Sequence, residues 1–359
     1  MARVPLTRKE SLSSRPVADR ISCVYKMGEL TRHLTGGTTG KSLEIYCDPA
    51  YEDIRVASIF RAYAYHGYRP TDRIAVFMFN PVPSRLINKL GLFRRVGFPF
   101  EMGVAEVVDQ LVANNFEIFE GYPSRLRSVA AEVLARRITS IRPKAVIASS
   151  EMLDAPVRLL IEQAFGVAPV DVYESWECSQ IAWEGSLRTG MHINADLKVV
   201  EVCDDQGNAV FDTPGEIVIT DLYNKAMPFI RYCTGDRGIL QTDKCACGSS
   251  LPVLKCILGR VNDSLVLKDG QESVSITPLF VCVKGTKGII EHQAVQERPG
   301  ELVIVVVCNE EFTNEIETDM KRRIAAMYAL ERIEVRRVPA IERTGVGKLR
   351  AFISKLDRK

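Results

Sequence analysis

The sequence predicts an α/β protein in two parts. A large N-terminal domain has mainly parallel sheets and helices plus an antiparallel β subdomain, and a small α+β C-terminal domain follows. Three observations predict this. Up to about residue 175, short apolar strand segments alternate with amphipathic helical segments, the rhythm of a parallel sheet with ligands at the strand C-termini. After Gly190 the helical pattern stops, and short strands follow one another with turn residues between them. From about residue 264, strands and one strong helix mix again over a stretch the size of a small independent unit.

Taken in order, LEIY (43–46) is strand-like, and AYEDIRVASIFRAYAYHGY (50–68) carries apolar groups at helical spacing up to Gly67. RIAVFMF (73–79) reads as a buried strand stopped by NPVPS; 104–116 is helical; EIFEGYPS (117–124) is a strand entering a turn. SRLRSVAAEVLARR (124–137) is an amphipathic helix with Ser124 as its expected N-cap. KAVIASSE (144–151) is a strand, APVRLLIEQAFG (155–166) a helix with a Gly stop, and VAPVDVYES (167–175) a strand. The β region holds LKVVEVCDD, GEIVITDLY and ILQTDKCACGSSLPVLKCILG. SLVLKDG, ELVIVVVCN, a helix over 311–329 and IEVRRV (333–338) complete the chain. The expected division is 1–258, with the β subdomain at about 190–258, a connection at 259–263, and a last unit at 264–359.

Composition sets broad bounds. With 359 residues, 46% of them hydrophobic, the chain is an ordinary globular protein able to build a sizeable core. Its 47 basic and 45 acidic residues give a net charge of +2, so no nucleic-acid footprint is expected. No apolar run approaches the roughly eighteen residues of a membrane span. The polar, basic segment MARVPLTRKESLSSRPVADR does not read as a secretory signal; it is a short ordered arm or a disordered leader, and its polarity favours the leader. Ten cysteines at irregular spacing, many in apolar segments, suit a reducing cytoplasm better than a disulfide framework.

The stretch TGGTTGKSLEIY (35–46) raises a specific question. A Gly/Thr loop ending in Lys41 offers backbone N–H groups, hydroxyls and a cation to an anion. It is not a Walker A loop, because Gly36 and Gly40 are one residue too close and a strand follows. On these residues alone, a phosphate cradle and a glycine-rich hairpin turn both remain open.

Four further motifs follow in order: Tyr173-Glu-Ser-Trp-Glu177, Met227-Pro-Phe-Ile-Arg-Tyr-Cys-Thr-Gly-Asp236, Gly259-Arg-Val-Asn-Asp263 and Glu342-Arg-Thr-Gly-Val-Gly-Lys348. Together with the loop, this series resembles the adenylate-forming superfamily of acyl-CoA synthetases, adenylation domains and luciferases. EGYPSRL (120–126), MPFIRYCTGDRG (227–238) and CACGSSLPVLKCILGRVND (245–263) resemble its phenylacetate–CoA ligase branch, which includes coenzyme F390 synthetase and capsule-biosynthesis-like relatives. The resemblance runs from about residue 30 to 350. Members usually carry more sequence ahead of the loop than the 34 residues found here.

The resemblance implies attack of a carboxylate on the ATP α-phosphate, giving acyl-AMP and pyrophosphate, with transfer of the acyl group to coenzyme A or a carrier-protein pantetheine. It implies that Thr35, Gly36, Gly37, Thr38, Thr39, Gly40 and Lys41 close over the β- and γ-phosphates. Tyr173 would pack on adenine, with Ser149, Ser150 and Glu151 beside it, and Glu177 would hold Mg²⁺. Asp236 would accept from the ribose hydroxyls, Arg231 and Arg260 would contact phosphate or ribose, and Asn262 or Asp263 would be the hinge of a mobile C-terminal lid. Lys348 would reach the carboxylate and α-phosphate. Thr39, Glu177 and Lys348 are thus the expected catalytic residues. Glu174 departs from the glycine that many relatives have, and alters the adenine or acyl site. Two alternatives stand beside the ligase: AMP transfer to a cofactor hydroxyl, and a non-catalytic nucleotide- or partner-binding relative.

Some relatives in this branch hold a structural zinc through Cys-x-Cys-Gly with a Cys and a His upstream. Here Cys245 and Cys247 stand in CACG, but Gly185 and Arg188 take the upstream places. With only two good ligands no zinc is expected; Cys178, His192 and Cys256 are the remaining candidates, and His192 is expected to be a structural or pocket histidine. Phe79, Phe98, Phe100, Tyr122, Trp176 and Trp183 serve an aromatic-friendly acyl pocket or the core, and an aryl or other hydrophobic acid is the expected substrate. A homodimer is a family expectation.

Overall fold

In the computed structural model, which describes residues 4–35, 43–78, 86–260, 265–271, 276–343 and 349–356, helices and strands alternate first. They are α1 (Lys9–Ser13), β1 (Thr31–Leu34), β2 (Glu44–Cys47), α2 (Pro49–Tyr65), β3 (Ile74–Phe77), α3 (Leu86–Lys89), β4 (Arg95–Gly97) and α4 (Val104–Ala113). Next come β5 (Ile118–Gly121), α5 (Pro123–Ala135), β6 (Ala145–Ser149), α6 (Ala155–Phe165) and β7 (Val170–Ser175). A run of strands follows: β8 (Ser179–Glu184), β9 (Met191–Ile193), β10 (Lys198–Cys203), β11 (Gly215–Asp221), β12 (Tyr232–Leu240) and β13 (Val253–Arg260). The last part holds α7 (Thr277–Lys284), β14 (Ile289–Gln296), β15 (Glu301–Cys308), α8 (Asn314–Met327), β16 (Arg332–Arg337) and β17 (Phe352–Ser354). One compact unit comprises Met1–Leu153, Val157–Thr234 and Gly238–Ile257; the other comprises Asp154–Pro156, Gly235–Arg237 and Leu258–Lys359.

An 11-stranded mixed sheet runs β10-β11-β12-β13-β9-β8-β7-β6-β5-β3-β4. Strands β4, β3, β5, β6 and β7 are parallel neighbours, and β8 turns back antiparallel to β7. Strands β3 and β6 read as near-continuous apolar runs, IAVF and AVIAS, because both of their faces are covered. The side chains of the parallel strands divide with period two. Ala75, Phe77, Phe119, Val146 and Ala148 join a core with Val107, Leu126, Val129 and Ile161 of α4, α5 and α6. Ile74, Val76, Ile118, Ala145 and Ile147 join a second core with Ala62 and Tyr63 of α2. Reversal begins at Ser179, not after Gly190, and the antiparallel strands continue the same sheet rather than forming a separate layer. Trp183 on β8 is buried in the second core.

Three local expectations change. The N-terminal arm is ordered from residue 4: Thr7 N–H donates to the Arg231 carbonyl (2.9 Å), Cys233 N–H donates to the Thr7 carbonyl (2.9 Å), and Arg8 pairs with Glu216 (3.1 Å). A polar segment of this kind reads as a leader because its partners lie more than two hundred positions away. Ser124 does not cap α5. That helix opens with Pro123 at its first position and Tyr122 before it, and no side chain of Tyr122 caps it. Asp48, by contrast, caps α2 by accepting from Tyr51 N–H at 3.1 Å.

The second unit has a four-stranded sheet, β16-β15-β14-β17. Leu302, Ile304 and Val306 alternate into its interior from β15, and Met320 and Ile324 are the buried stripe of α8, which Thr313 caps.

The antiparallel end of the large sheet closes around buried charge. Lys198 and Asp221 are cross-strand partners on β10 and β11, with Nζ and Oδ2 3.6 Å apart and both side chains almost fully buried. Asp221 also accepts from the Tyr51 hydroxyl of α2 and from the backbone N–H groups of Tyr223 and Asn224 (2.9 and 3.0 Å). Burial pushes the Lys198 ammonium below its ordinary pKa, against the pull of Asp221. Removing one partner leaves the other charge buried and uncompensated. Asp221→Asn should therefore lower unfolding free energy in urea by about 3–5 kcal/mol; a loss under about 1 kcal/mol would show a well-solvated pair.

Candidate active site

The C-terminal ends of β5, β6 and β7 and the first residue of β12 carry the motif residues of the large unit. Glu177 follows β7, half-buried, and its Oε1 accepts from the Tyr232 hydroxyl at 3.1 Å. Burial, with the Glu177 charge added, holds the Tyr232 phenol well above its ordinary pKa, so it stays a donor. The neighbouring Cys178 carbonyl accepts from Lys198 Nζ, which fixes the backbone behind Glu177. A carboxylate held through one oxygen keeps acceptor capacity for a hard cation, and Mg²⁺ usually takes one or two carboxylates together with phosphates and water. Glu177 fits that role by donor chemistry.

Ser150 and Glu151 sit directly after β6. Ser150 adopts a left-handed backbone (φ 68°), strained for a non-glycine residue, and its hydroxyl donates to Glu174 Oε1 at 3.2 Å. Glu174 itself follows a register shift in the β7–β8 pairing. Glu151 has a different task from the one expected. Its carboxylate accepts from Ser124 N–H (2.9 Å) and Ser124 Oγ (3.1 Å), and so takes up a free N–H and the positive dipole end of α5. Ser149 is buried at the end of β6.

Several expected ligand contacts are corrected. The Tyr173 side chain packs in the core with Tyr46, Tyr51, Cys178 and Tyr232 and is 8% exposed, which leaves little ring for a base to stack on. Arg231 is buried, with its donors engaged: Nε on Glu201 Oε2 (3.1 Å), Nη1 on the Val4 carbonyl (2.8 Å) and Nη2 on the Gly207 carbonyl (2.8 Å). It ties the N-terminal arm and the 201–207 region to β12, and has no fork left for phosphate. Thr35 uses its hydroxyl to accept from Leu43 N–H (2.8 Å), while Thr35 N–H donates to the Leu43 carbonyl (3.0 Å). This pair closes the root of a β1–β2 hairpin whose register matches Leu34 to Glu44. Phe98 stacks on Phe77 in one core cluster, and Trp183 is buried in another, so both side chains serve the core. Phe100 lies 5.8 Å from Tyr122 with the Arg125 guanidinium over it.

In the second unit, Asp236 Oδ1 and Arg260 Nε approach to 3.6 Å. Gly36, Gly37, Thr38, Thr39, Gly40, Lys41, Phe79, Asn262, Asp263 and Lys348 lie outside the described residues.

Sequence reading missed the residues that hold Trp176. His33, on β1 at the root of the loop, stacks on the Trp176 ring at 4.7 Å, and the Arg55 guanidinium lies 4.9 Å from its centroid. Glu52 of α2 holds both, at 2.6 Å to His33 Nε2 and 3.1 Å to Arg55 Nη1. Burial raises the Glu52 pKa, but His33 and Arg55 outweigh it and the net shift is downward. The i,i+3 spacing of Glu52 and Arg55 was visible in the helix; the aromatic partner was not.

The cysteines are all unpaired. Burial pushes the Cys47 thiol up to about 12, so it is inert. The 245–248 turn differs. Hydrogen bonds from His192 and then from Cys247 hold the Cys245 thiol down, at about 6. Cys247 Sγ lies 3.4 Å from His192 Nε2. The expectation that Cys245 and Cys247 are the only good ligands is corrected: β9 delivers a buried imidazole to them.

No protein-family model matches the chain. It is 26% identical over 341 residues to the phenylacetate–coenzyme A ligase of Thermus thermophilus, covering 88% of this chain and 74% of that one. It is 25% identical over 319 residues to protein CapK of Staphylococcus aureus, covering 82% and 68%. Among solved structures, 2-hydroxyisobutyryl-CoA ligase in its postadenylation state with 2-HIB-AMP superposes with a TM-score of 0.77 at 22% identity, over 98% of this chain and 80% of that one. The anthranilate CoA ligase AuaEII with anthranoyl-AMP gives 0.66 at 13% identity, over 90% and 66%.

The reassignment of Arg231 is open to direct test. Arg231→Lys should cost about 1–3 kcal/mol in thermal or urea unfolding, since buried acceptors lose their fork, and leave ATP affinity by calorimetry unchanged. A tenfold loss of ATP affinity at unchanged stability would return Arg231 to the phosphates.

Proposed function

We propose that the chain is a member of the adenylate-forming superfamily and that it activates a carboxylic acid with ATP and passes the acyl group to a thiol, coenzyme A or a carrier-protein pantetheine. A carboxylate oxygen forms a bond to the α-phosphorus as the bond from that phosphorus to the bridging oxygen breaks, and pyrophosphate leaves. The thiol sulfur then attacks the acyl carbon, its proton is lost, and AMP departs. Charge builds on phosphate oxygens in the first step, so fixed donors and cations lower its barrier.

The observation that carries this reading is the placement of Glu177. The YESWE motif ends beyond the C-terminus of a parallel strand, where ligands of open α/β sheets gather, with the carboxylate held by Tyr232 and its backbone by Lys198. A Mg²⁺ ion bound there would neutralise phosphate charge. The hairpin that Thr35 closes carries Thr38, Thr39 and Lys41 as donors for the leaving phosphates, and Asp236 takes the ribose hydroxyls. Lys348 serves the carboxylate and α-phosphate in the first step.

Phe98 and Trp183 belong to the core, so the case for an aryl acid rests on fewer residues than the sequence suggests. The acid is best identified by product mass spectrometry with ATP, Mg²⁺, coenzyme A and an acid library. The expected products are AMP, pyrophosphate and one acyl thioester. Pyrophosphate release that stays flat with every acid contradicts the reading, and an acceptor that gains AMP instead supports transfer to a hydroxyl. Lys348→Ala should slow acid-dependent pyrophosphate release by about 10²–10³-fold, as loss of one transition-state donor does elsewhere. Glu177→Gln should raise the Mg²⁺ concentration for half-maximal rate; an unchanged Mg²⁺ dependence would remove Glu177 from the metal.

A further inference from the structure

We propose that His33 is a positioning residue for the site around Glu177. Through the Trp176 ring it ties the β1–β2 hairpin to the Glu177 carboxylate, so that a shift of either moves the other. What binds at Glu177 rests on the acyl-ligase reading; the coupling rests on the geometry.

Trp176, Glu177 and Cys178 are the three residues between β7 and β8, whose last register pair is Ser175 with Ser179. Cys178 N–H donates to Ser175 Oγ (3.1 Å) and Ser179 takes a left-handed backbone (φ 57°), so the turn is tightly made. Each of its three residues is anchored from a different part of the fold. The Cys178 carbonyl accepts from Lys198 Nζ of β10, and Glu177 accepts from the Tyr232 hydroxyl at the start of β12. Both of those partners are almost fully buried in the large sheet, so two of the three anchors are fixed. Trp176 is held instead by the His33 imidazole of β1, at 4.7 Å and an interplanar angle of 20°, and by the Arg55 guanidinium of α2 at 4.9 Å.

The hairpin is a lightly fastened element. β1 and β2 form a two-stranded sheet of their own, and such a pair is marginally stable without outside packing. On β2 that packing comes from Ile45, Tyr46 and Cys47, all buried. On β1, Thr31, Arg32 and Leu34 are exposed and His33 is the half-buried side chain. The imidazole is therefore what β1 brings to the body of the large unit. Glu52 of α2 directs it, with Oε1 2.6 Å from His33 Nε2 and 3.1 Å from Arg55 Nη1, so one carboxylate sets both groups that touch the indole. A displacement of β1 carries the imidazole with it, and the indole passes the shift to Glu177 through the peptide they share. The coupling is reciprocal: a ligand that draws the Glu177 carboxylate is felt at Trp176 and at β1.

The test uses the full chain with Mg²⁺ and ATP, and reads binding rather than turnover. The two tryptophans of the chain are Trp176, half-buried, and Trp183, buried, so the redder emission belongs to Trp176, and Trp176→Phe assigns it. Binding of ATP with Mg²⁺, followed in parallel by calorimetry, should change that emission. His33→Ala should raise the Mg²⁺ concentration for half-maximal ATP binding by about 3–10-fold, the range that a stacked ring pair contributes. His33→Phe, which keeps a ring on the indole, should restore it. In a Glu177→Gln background His33→Ala should have no further effect, because its route to the metal is gone. Equal effects of His33→Ala in the two backgrounds would overturn the coupling and leave the acyl-ligase reading in place. So would calorimetric binding with no change in Trp176 emission, which the unaltered chain reads whether or not the variants fold. No binding of ATP with Mg²⁺ would overturn both.

Discussion

The buried Lys198–Asp221 pair is the constraint on which the rest of the large unit depends. Two charges at neighbouring strand positions, both taken out of water, need more than each other. Asp221 collects the Tyr51 hydroxyl and two backbone N–H groups, and Lys198 reaches the Cys178 carbonyl. Asn224 extends the network, with Nδ2 donating to the Tyr46 carbonyl (3.3 Å) and Oδ1 accepting from Met227 N–H (3.1 Å). The strand after the glycine-rich loop, the residue after Glu177 and the start of the MPFIRY segment are thereby fixed to one charged centre. Motifs far apart in sequence converge because a low-dielectric interior tolerates these charges only with all their partners in place.

Around that centre, the same residues divide between holding and offering. Thr35 and Arg231 hold: one closes the hairpin, the other locks the N-terminal arm against β12. Glu151 holds the start of α5. Glu177 is held by Tyr232 and retains acceptor capacity, and Trp176 beside it is pressed by His33 from the root of the loop. The hairpin carrying the glycine-rich segment and the strand end carrying Glu177 are therefore coupled by a stacked ring pair.

Much of the fold was legible because its signals are local. The largely apolar runs IAVF (74–77) and AVIA (145–148) require a sheet covered on both faces, and helices with an apolar stripe between them supply the cover. What was not legible depends on partners distant in sequence. Ser179–Glu184 carries no turn signal to announce the reversal at Ser179. The N-terminal arm is polar, and its order depends on distant partners such as Arg231, Cys233 and Glu216. Ser124 looks like a cap until Pro123 is seen to open the helix and Glu151 to arrive from another strand. His192 is separated by more than fifty positions from the cysteines it meets, and the clue was an absence: glycine at 185, where a side chain would have excluded the ring.

The central claim is that the bond broken in ATP lies at the α-phosphate and that a carboxylate attacks it. It is tested most directly with an acid labelled with heavy oxygen in its carboxylate, turned over with ATP and coenzyme A. The account predicts that AMP leaves carrying one labelled oxygen, while pyrophosphate carries none. Label found in inorganic phosphate, or AMP released without label while thioester forms, would contradict it.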